Sequence, residues 1–196
     1  MIKRLFSLAA VASVLAGPAF AVDTYTIDRG HSEALFKIRH LVGRVSGRFG
    51  DFGGTIRIEP GKPEASSVEF VIKAASIDTD NEQRDQHLRA EDFFWTEKHP
   101  EIVFKSSAIR TTGQDAFEVA GTLTMRGVSK QVTLPVRLLG FAPDPWGNEK
   151  VGFTLNATLN RKEYGVEWNK ALDRGGLLLG DEVEVEINLE AAKQKP

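Results

Sequence analysis

The sequence predicts an all-β protein, an antiparallel β-barrel of about eight strands with one short helix. Apolar and polar residues alternate along most of the chain, turn signals separate many of these segments, and only one segment is typical of a helix. Long strands with one apolar face can form a sandwich or a barrel, but only a closed barrel removes the sheet edges. Strands of about ten residues extend about 33 Å, which favours a barrel that can hold a ligand.

The first segment, residues 1–21, is typical of a secretory signal peptide. A short basic start precedes an uncharged, mostly apolar run from Leu5 to Leu15, and Ala19-Phe20-Ala21 has the small-x-small form of a signal peptidase site. The run is too short to span a bilayer as a helix, and no second long apolar run follows it. We therefore expect cleavage after Ala21, export from the cytoplasm, and a single domain over residues 22–196 with no transmembrane segment.

Period-two alternation predicts nine strands in the remaining chain. The most regular one runs from Glu182 to Glu190, where every second residue is apolar and one face is therefore expected to be buried. The others, in chain order, are Tyr25 to Asp28, Ala34 to His40, the pair Ile56 and Ile58, Val68 to Ala74, Ile102 to Ala108, Phe117 to Met125, Val132 to Leu138, and Val151 to Leu159.

One polar segment departs from this pattern and ends in three aromatic residues. Its helix-forming residues predict a short helix around Glu82 to Arg89, with Asp78, Thr79 or Asp80 as the N-cap. The aromatic run Phe93 to Trp95 follows the helix and is expected to plug one end of the barrel.

Composition argues against several classes of function. Lys plus Arg number 25 and Asp plus Glu number 27, so the formal net charge is -2 and no basic field favours nucleic acid. The absence of cysteine excludes disulfides, thiolate metal sites, cysteine nucleophiles and iron–sulfur clusters. The chain also has no GxSxG, GxGxxG or P-loop motif. We therefore predict no catalytic residue, no metal site and no cofactor.

An ordered set of short motifs runs through the whole predicted mature chain. In chain order they include Asp28-x-x-His31-Ser32, Gly47-x-Phe49, Ala75-Ser76-Ile77-Asp78-Thr79, Arg84-Asp85-x-His87-Leu88, Gly121-x-Leu123-Thr124-x-x-Gly127 and Arg161-x-x-Tyr164-Gly165-x-x-Trp168. Together they resemble the YceI-like family of polyisoprenoid-binding proteins. This resemblance implies a lipocalin-like barrel with an elongated apolar interior that binds long isoprenoid or other lipid-like chains. It also implies export to the periplasm and no enzymatic activity, and dimers are known in the family, so a homodimer is one expectation.

The apolar faces of the predicted strands are the first candidate site. In a sandwich they form an ordinary core, whereas in a barrel they line a tube that side chains or a ligand can fill. The resemblance favours a ligand, and burial of an isoprenoid tail contributes about 0.8 kcal/mol per methylene. The predicted lining residues are Phe36, Ile38, Phe70, Ile72, Phe104, Val119, Leu123, Leu134, Val136, Phe153, Leu155 and Val185.

Three histidines and one arginine are candidates for contact with a polar head group. His40 shares the strand parity of the apolar lining, while His31, Arg84 and His87 belong to the family-like motifs. They can hydrogen-bond the loops that close the barrel, or they can meet a head group such as a pyrophosphate or a quinone oxygen. A third interpretation joins the histidines in a metal or haem site.

We therefore expect an exported carrier that encapsulates a polyisoprenoid or a similar long-chain amphiphile, such as an isoprenoid quinone or a lipid. Two alternatives remain. One is a histidine-based metal- or haem-linked redox protein or enzyme. The other is a ligand-free stress-response barrel whose core is completely packed.

Overall fold

A computed structural model describes residues 22–173 and 175–195. The predicted signal peptide, residues 1–21, lies outside the described residues, so its cleavage stays a prediction. Within the described part the chain forms one α-helix, α1 (Glu82–Arg89), a few short 3-10 turns and eleven strands. The strands are β1 (Asp23–Ile27), β2 (Glu33–His40), β3 (Gly43–Phe49), β4 (Phe52–Ile58), β5 (Ser67–Lys73), β6 (Ile77–Asp78), β7 (Glu101–Gly113), β8 (Ala116–Met125), β9 (Val128–Pro143), β10 (Glu149–Asn160) and β11 (Leu179–Lys193).

Eight strands close into a ring, which confirms the predicted antiparallel barrel. Their hydrogen-bonded order is β1, β4, β5, β7, β8, β9, β10 and β11. The ring closes because the last strand returns to the first, with Tyr25 opposite Lys193 and Ile27 opposite Ala191. None of these eight strands is therefore left with an open edge.

Strands β2, β3 and β6 extend the wall of the barrel beyond an interruption. This interruption falls between β3 and β4 on one segment of the chain and between β5 and β6 on its neighbour. β2 pairs with β11 and β3, and β3 pairs in turn with β6. At the interruption the Gly50 amide donates to the Ser76 carbonyl oxygen (3.1 Å), and the Lys73 amide donates to the Asp51 carbonyl oxygen (2.8 Å). These hydrogen bonds keep the wall connected where the chain bends.

The helix forms where it was predicted, over Glu82–Arg89, but its N-cap was predicted wrongly. Asn81, and none of residues 78–80, caps it, because Asn81 has an extended backbone and its side-chain oxygen accepts a hydrogen bond from the Arg84 amide (2.9 Å). Among the described residues, no helix has the length and apolar character needed to cross a membrane.

The aromatic plug contains two rings, not the three that were predicted. Phe93 is buried and Phe94 is half-buried in the apolar cluster behind α1. Trp95 has a positive φ of 49°, which turns the chain, and its ring instead packs against Lys98 (4.1 Å from Nζ to the ring centroid) and His99. Trp95 therefore belongs to a surface contact outside the plug.

The two ends of the barrel are covered differently. At one end, the helix end, α1 and the segment of residues 161–168 pack over the barrel, where Phe93, Val166 and Leu179 form an apolar cluster. At the opposite end, the hairpin end, lie the β4–β5 and β9–β10 connections. The apolar inner faces of the strands lie between these two ends.

Strand β7 contains a bulge that changes which residues face inward. Its register against β8 shifts between Ser106 and Ala108. Beyond the shift Ala108 is exposed and Ile109 lines the interior, so the simple alternation that placed Ala108 on the inner face was wrong there. A bulge inserts one residue and therefore reverses the parity of everything after it.

Candidate ligand-binding site

The hairpin end of the barrel encloses a cavity of about 660 Å³, here the hairpin chamber. Its walls are almost entirely apolar, and its volume falls in the range of about 300–1,000 Å³ that is typical of ligand pockets. Eleven of the twelve predicted lining residues lie on its wall: Phe36, Phe70, Ile72, Phe104, Val119, Leu123, Leu134, Val136, Phe153, Leu155 and Val185.

The helix end encloses a second cavity of about 490 Å³, here the helix chamber. It lies among α1, residues 161–168 and the inner faces of β2 and β3. Ile38 lines it, so all twelve predicted residues lie at the walls of the two chambers. Three of the four predicted polar residues, His40, Arg84 and His87, line it as well. Contact of these residues with a ligand remains a prediction.

Seven further residues of the hairpin chamber lie on the same strand faces as the predicted lining residues, so the alternation could have predicted them. These positions continue the predicted inner faces by one or two alternations, and they were omitted only because the prediction selected central residues. They are Val68, Ile102, Phe117, Leu138, Leu159, Ile187 and Leu189.

Polar groups of the hairpin chamber are concentrated at its mouth. The Tyr25 hydroxyl donates to Glu149 Oε1 (2.7 Å), and Lys193 Nζ lies 2.8 Å from Asp23 Oδ2 and 3.4 Å from Glu149 Oε2. Burial and the hydrogen bond to Glu149 raise the pKa of Tyr25 above its ordinary value, so this hydroxyl stays protonated. Asp23, Glu149 and Lys193 are thus paired at the mouth, and the interior beyond them suits an apolar chain.

The helix chamber has a polar edge that contains a half-buried cation. Arg84 Nε donates to Thr79 Oγ1 (2.7 Å) and its Nη2 donates to the Thr79 carbonyl oxygen (2.6 Å). Thr79 in turn donates its hydroxyl and its amide to the buried carboxylate of Asp85. No described carboxylate forms an ion pair with Arg84. The edge therefore presents a positive group, fixed in orientation, to the chamber.

His87 lies beside this edge among aromatic rings. Its Nε2 is 3.1 Å from Asp92 Oδ2, and its ring makes edge contacts with Phe93 (4.9 Å between centroids) and Trp168 (5.1 Å). His87 therefore connects the helix to the segment of residues 161–168, and it also lines the chamber. Both roles predicted for it, loop contact and head-group contact, are compatible with this position.

Arg161 supports the loop that covers the helix chamber. It is only 5% exposed, and its guanidinium donates to the carbonyl oxygens of Gly180 (2.9 Å), Val166 (2.7 Å) and Trp168 (2.9 Å). Burial lowers the pKa of Arg161, and Asp181, with Oδ1 3.7 Å from Nη2, acts in the opposite direction. This network explains the spacing of the Arg161-x-x-Tyr164-Gly165-x-x-Trp168 motif, because one buried side chain binds carbonyl groups along the loop.

His31 does not lie with the other predicted head-group residues. It is mostly exposed in a 3-10 turn between β1 and β2, where its Nδ1 is 3.1 Å from Asp28 Oδ2, and it lines neither chamber. The turn holds His31 outside because Asp28 caps it through the Gly30 amide (3.1 Å). The structure therefore brings His40, Arg84 and His87 to one chamber and places His31 elsewhere.

The cluster around His31 is an ion-pair network. Asp28, His31 and Glu190 offer ligand atoms within 4.8 Å of one another. However, Lys150 Nζ lies 2.6 Å from Asp28 Oδ2 and 3.1 Å from Glu190 Oε1, so an ammonium group already pairs with both carboxylates of the cluster. The hydrogen bond from Lys150 holds the pKa of Asp28 below its ordinary value and raises that of Lys150.

A closed antiparallel wall around an apolar interior, with polar groups only at its ends, defines the class of lipocalin-like barrels. The model of the YceI-like domain matches residues 25–191. The chain belongs to the YceI-like family, as its motifs predicted. A UPF0312 protein of Azotobacter vinelandii is 37% identical to it over 199 residues, which cover 99% of this chain and 100% of that relative.

Two solved structures share the fold. BcnA of Burkholderia cenocepacia superposes with a TM-score of 0.74 at 23% identity, over 84% of this chain and 98% of BcnA. A polyisoprenoid binding domain from Saccharophagus degradans, implicated in plant cell wall breakdown, superposes with a TM-score of 0.67 at 15% identity, over 87% of this chain and 98% of that domain. At these identities the likeness shows the fold alone.

Proposed function

We propose that this protein is an exported carrier that encapsulates a polyisoprenoid or a similar long-chain amphiphile inside its barrel. One observation carries the proposal: two adjoining chambers of about 660 and 490 Å³ lie in the closed barrel and at its helix end, and both are lined mainly by apolar side chains. The name of the Saccharophagus degradans domain, a polyisoprenoid binding domain of the same fold, supports this class of ligand.

The proposed mechanism is burial without reaction. Each methylene that leaves water for the chambers contributes about 0.8 kcal/mol, so a long tail supplies enough free energy for tight binding. The tail fills the apolar hairpin chamber, and the head group lies in the helix chamber beside Arg84, His40 and His87. Arg84 suits an oxygen-bearing head because its guanidinium is held by Thr79 and forms no ion pair with a described carboxylate. This role requires no catalytic residue, so we propose a binding protein and no enzyme.

Export is part of the proposal and rests on residues 1–21, whose sequence is typical of a cleavable signal peptide. A carrier outside the cytoplasm fits a chain without cysteine, because such a chain cannot form unwanted disulfides in an oxidising compartment.

The structure favours the carrier over the two alternatives. A barrel whose core is completely packed would not contain chambers of this size. A redox site built from three histidines needs them close together, and His31 lies outside the chamber that His40 and His87 line. Neither alternative therefore has a matching arrangement of side chains in the described residues.

A thermal-shift titration tests the proposal. The delipidated protein is mixed with solanesol dispersed in octyl glucoside, with the same detergent alone as the control. We expect solanesol to raise the unfolding midpoint in a saturable manner, because a ligand that binds only the folded state stabilises it. An unchanged midpoint with solanesol, with a long-chain quinone and with a long-chain fatty alcohol would contradict the proposal.

A further inference from the structure

The walls of the two chambers share a set of aromatic and aliphatic side chains at their boundary, here the neck. Six residues belong to both chamber walls and so define it: Phe36, Phe49, Ile102, Met125, Leu159 and Val185. The ring of Phe49 lies between those of Phe36 (5.7 Å between centroids) and Phe94 (5.8 Å). Three rings in contact thus form one side of the passage.

Gly47 leaves space beside β3 for the Phe36 ring. The two residues are paired across β2 and β3, and a Cβ at Gly47 would lie 2.3 Å from Cζ of Phe36. The backbone of Gly47 is not in the left-handed region, so the missing side chain matters for space and not for backbone conformation. A larger residue at Gly47 must push the ring away from β3 and into the neck.

We infer that this neck selects the ligand: a single slender chain can occupy both chambers, whereas a lipid with two chains cannot. The inference rests on the proposed function and deepens it. A chain that crosses the neck gains burial in both chambers, while a ligand that cannot cross is limited to one of them. From Glu149 at the mouth to Leu159 at the neck, β10 spans about 33 Å of strand and, at a tilt near 40°, about 25 Å of the barrel axis. A long chain is therefore needed to occupy both chambers.

A competition experiment with neck variants tests the inference. Delipidated protein is incubated with an equimolar mixture of farnesol, solanesol and dioleoylglycerol in octyl glucoside and then separated by gel filtration. Mass spectrometry of the extract gives the bound ratios. For the unaltered protein we expect solanesol to exceed both farnesol, which is too short to fill both chambers, and dioleoylglycerol, which has two chains.

Narrowing and widening the neck should change these ratios in opposite ways. Gly47→Ala should lower the solanesol-to-farnesol ratio by about tenfold or more, a discrimination that small steric changes in apolar pockets produce. Phe36→Trp narrows the same passage without a change at Gly47. It replaces Gly47→Ala in the experiment if that variant does not fold. Phe36→Ala should keep the preference for solanesol over farnesol and raise the bound share of dioleoylglycerol.

Phe70→Ala is the matched control, because Phe70 lines only the hairpin chamber and packs on Phe52 there. It should weaken both prenyl alcohols without a large change in their ratio. Folded narrowing variants that keep the solanesol-to-farnesol ratio, or an unaltered protein that takes up dioleoylglycerol as well as solanesol, would overturn the inference. If the unaltered protein binds none of the three probes, the proposed function itself fails. If it binds them without the expected preference, only the inferred selectivity of the neck fails.

Discussion

At the scale of single residues, the polar side chains divide into those that stabilise the barrel and those that face its interior. Asp28, His31 and Lys150 belong to the first group, because they join the turn after β1 to the start of β10 on the outer surface. Arg84 belongs to the second group, since it lines the helix chamber. Asp28 and His31 lie in one family-like motif and Arg84 in another, so the motifs alone could not separate structural from ligand-binding roles.

The Asp28–Lys150 pair should make stability depend on pH in the acid range. Because Lys150 holds the pKa of Asp28 below its ordinary value, the carboxylate stabilises the fold above the unfolded-state pKa, and this contribution is lost as pH falls through the folded-state pKa. We expect Asp28→Asn to cost about 1 kcal/mol near neutral pH, and the difference from the unaltered protein should shrink below about pH 4. Urea unfolding at a series of pH values measures this.

Asp51→Asn is the control for that experiment. Asp51 pairs with Arg29 at 2.7 Å, but both side chains are more than half exposed, so this variant should change stability little at any pH. Equal effects of the two substitutions across the whole pH range would contradict the role given to Lys150.

Arg84 should matter for a charged head group and not for an uncharged one. Arg84→Gln removes the cation at the edge of the helix chamber, so we expect about tenfold weaker binding of a prenyl diphosphate, the scale of a lost charge-assisted hydrogen bond. Binding of the corresponding prenyl alcohol should stay nearly unchanged. Isothermal titration with both ligands measures the difference. A parallel loss for both ligands would show that Arg84 acts only by holding Thr79.

At the scale of elements, the alternation of apolar residues predicted most strands and most of the interior. This alternation failed as a guide at two places, one where a glycine takes the position of an inward side chain and one where a bulge shifts the register. β3 was missed because Gly47 replaces an inward apolar side chain, and only the neighbouring Phe36 ring and Thr79 methyl group explain why no side chain fits there. The bulge in β7 was also missed, since no local residue pattern announced the register shift after Ser106.

The β7 bulge gives a prediction that separates the structure from simple alternation. Ile109 lines the hairpin chamber, whereas Ala108 is exposed. Ile109→Asp should therefore cost at least about 2 kcal/mol in the free energy of unfolding, because it places a charge in an apolar cavity. Ala108→Asp should cost less than about 0.5 kcal/mol, as is usual at the surface. Chemical denaturation of the two variants measures these losses. A larger loss for Ala108→Asp than for Ile109→Asp would place Ala108 in the interior and contradict the bulge.

The loop over the helix chamber depends on one buried cation. Arg161→Met removes hydrogen bonds to three carbonyl groups and leaves Asp181 without its buried partner, so we expect a loss of about 3 kcal/mol or more. Lys162→Met provides the control, because Lys162 pairs with the same Asp181 at 3.0 Å but is far more exposed. It should cost less than about 1 kcal/mol. Similar losses in both variants would indicate that the buried hydrogen bonds contribute little.

At the scale of the whole molecule, the sequence predicted the fold and the family, and it also selected residues that line the interior. It could not predict the division of the interior into two chambers. That division depends on contacts among Phe36, Phe49 and Phe94, which come from β2, β3 and the segment after α1 and meet only in the folded protein. His31 could not be assigned for the same reason, since only the bend after β1 turns it away from the interior.

Analysis of the lipid that accompanies the protein tests the central claim most directly. The chain with residues 1–21 is expressed, purified without detergent and extracted with organic solvent, and the extract is examined by mass spectrometry. We predict one long-chain, single-tailed amphiphile per barrel, in an amount that rises and falls with the protein across the chromatographic peak. An extract with no such molecule, together with no thermal shift on addition of solanesol, would contradict the account.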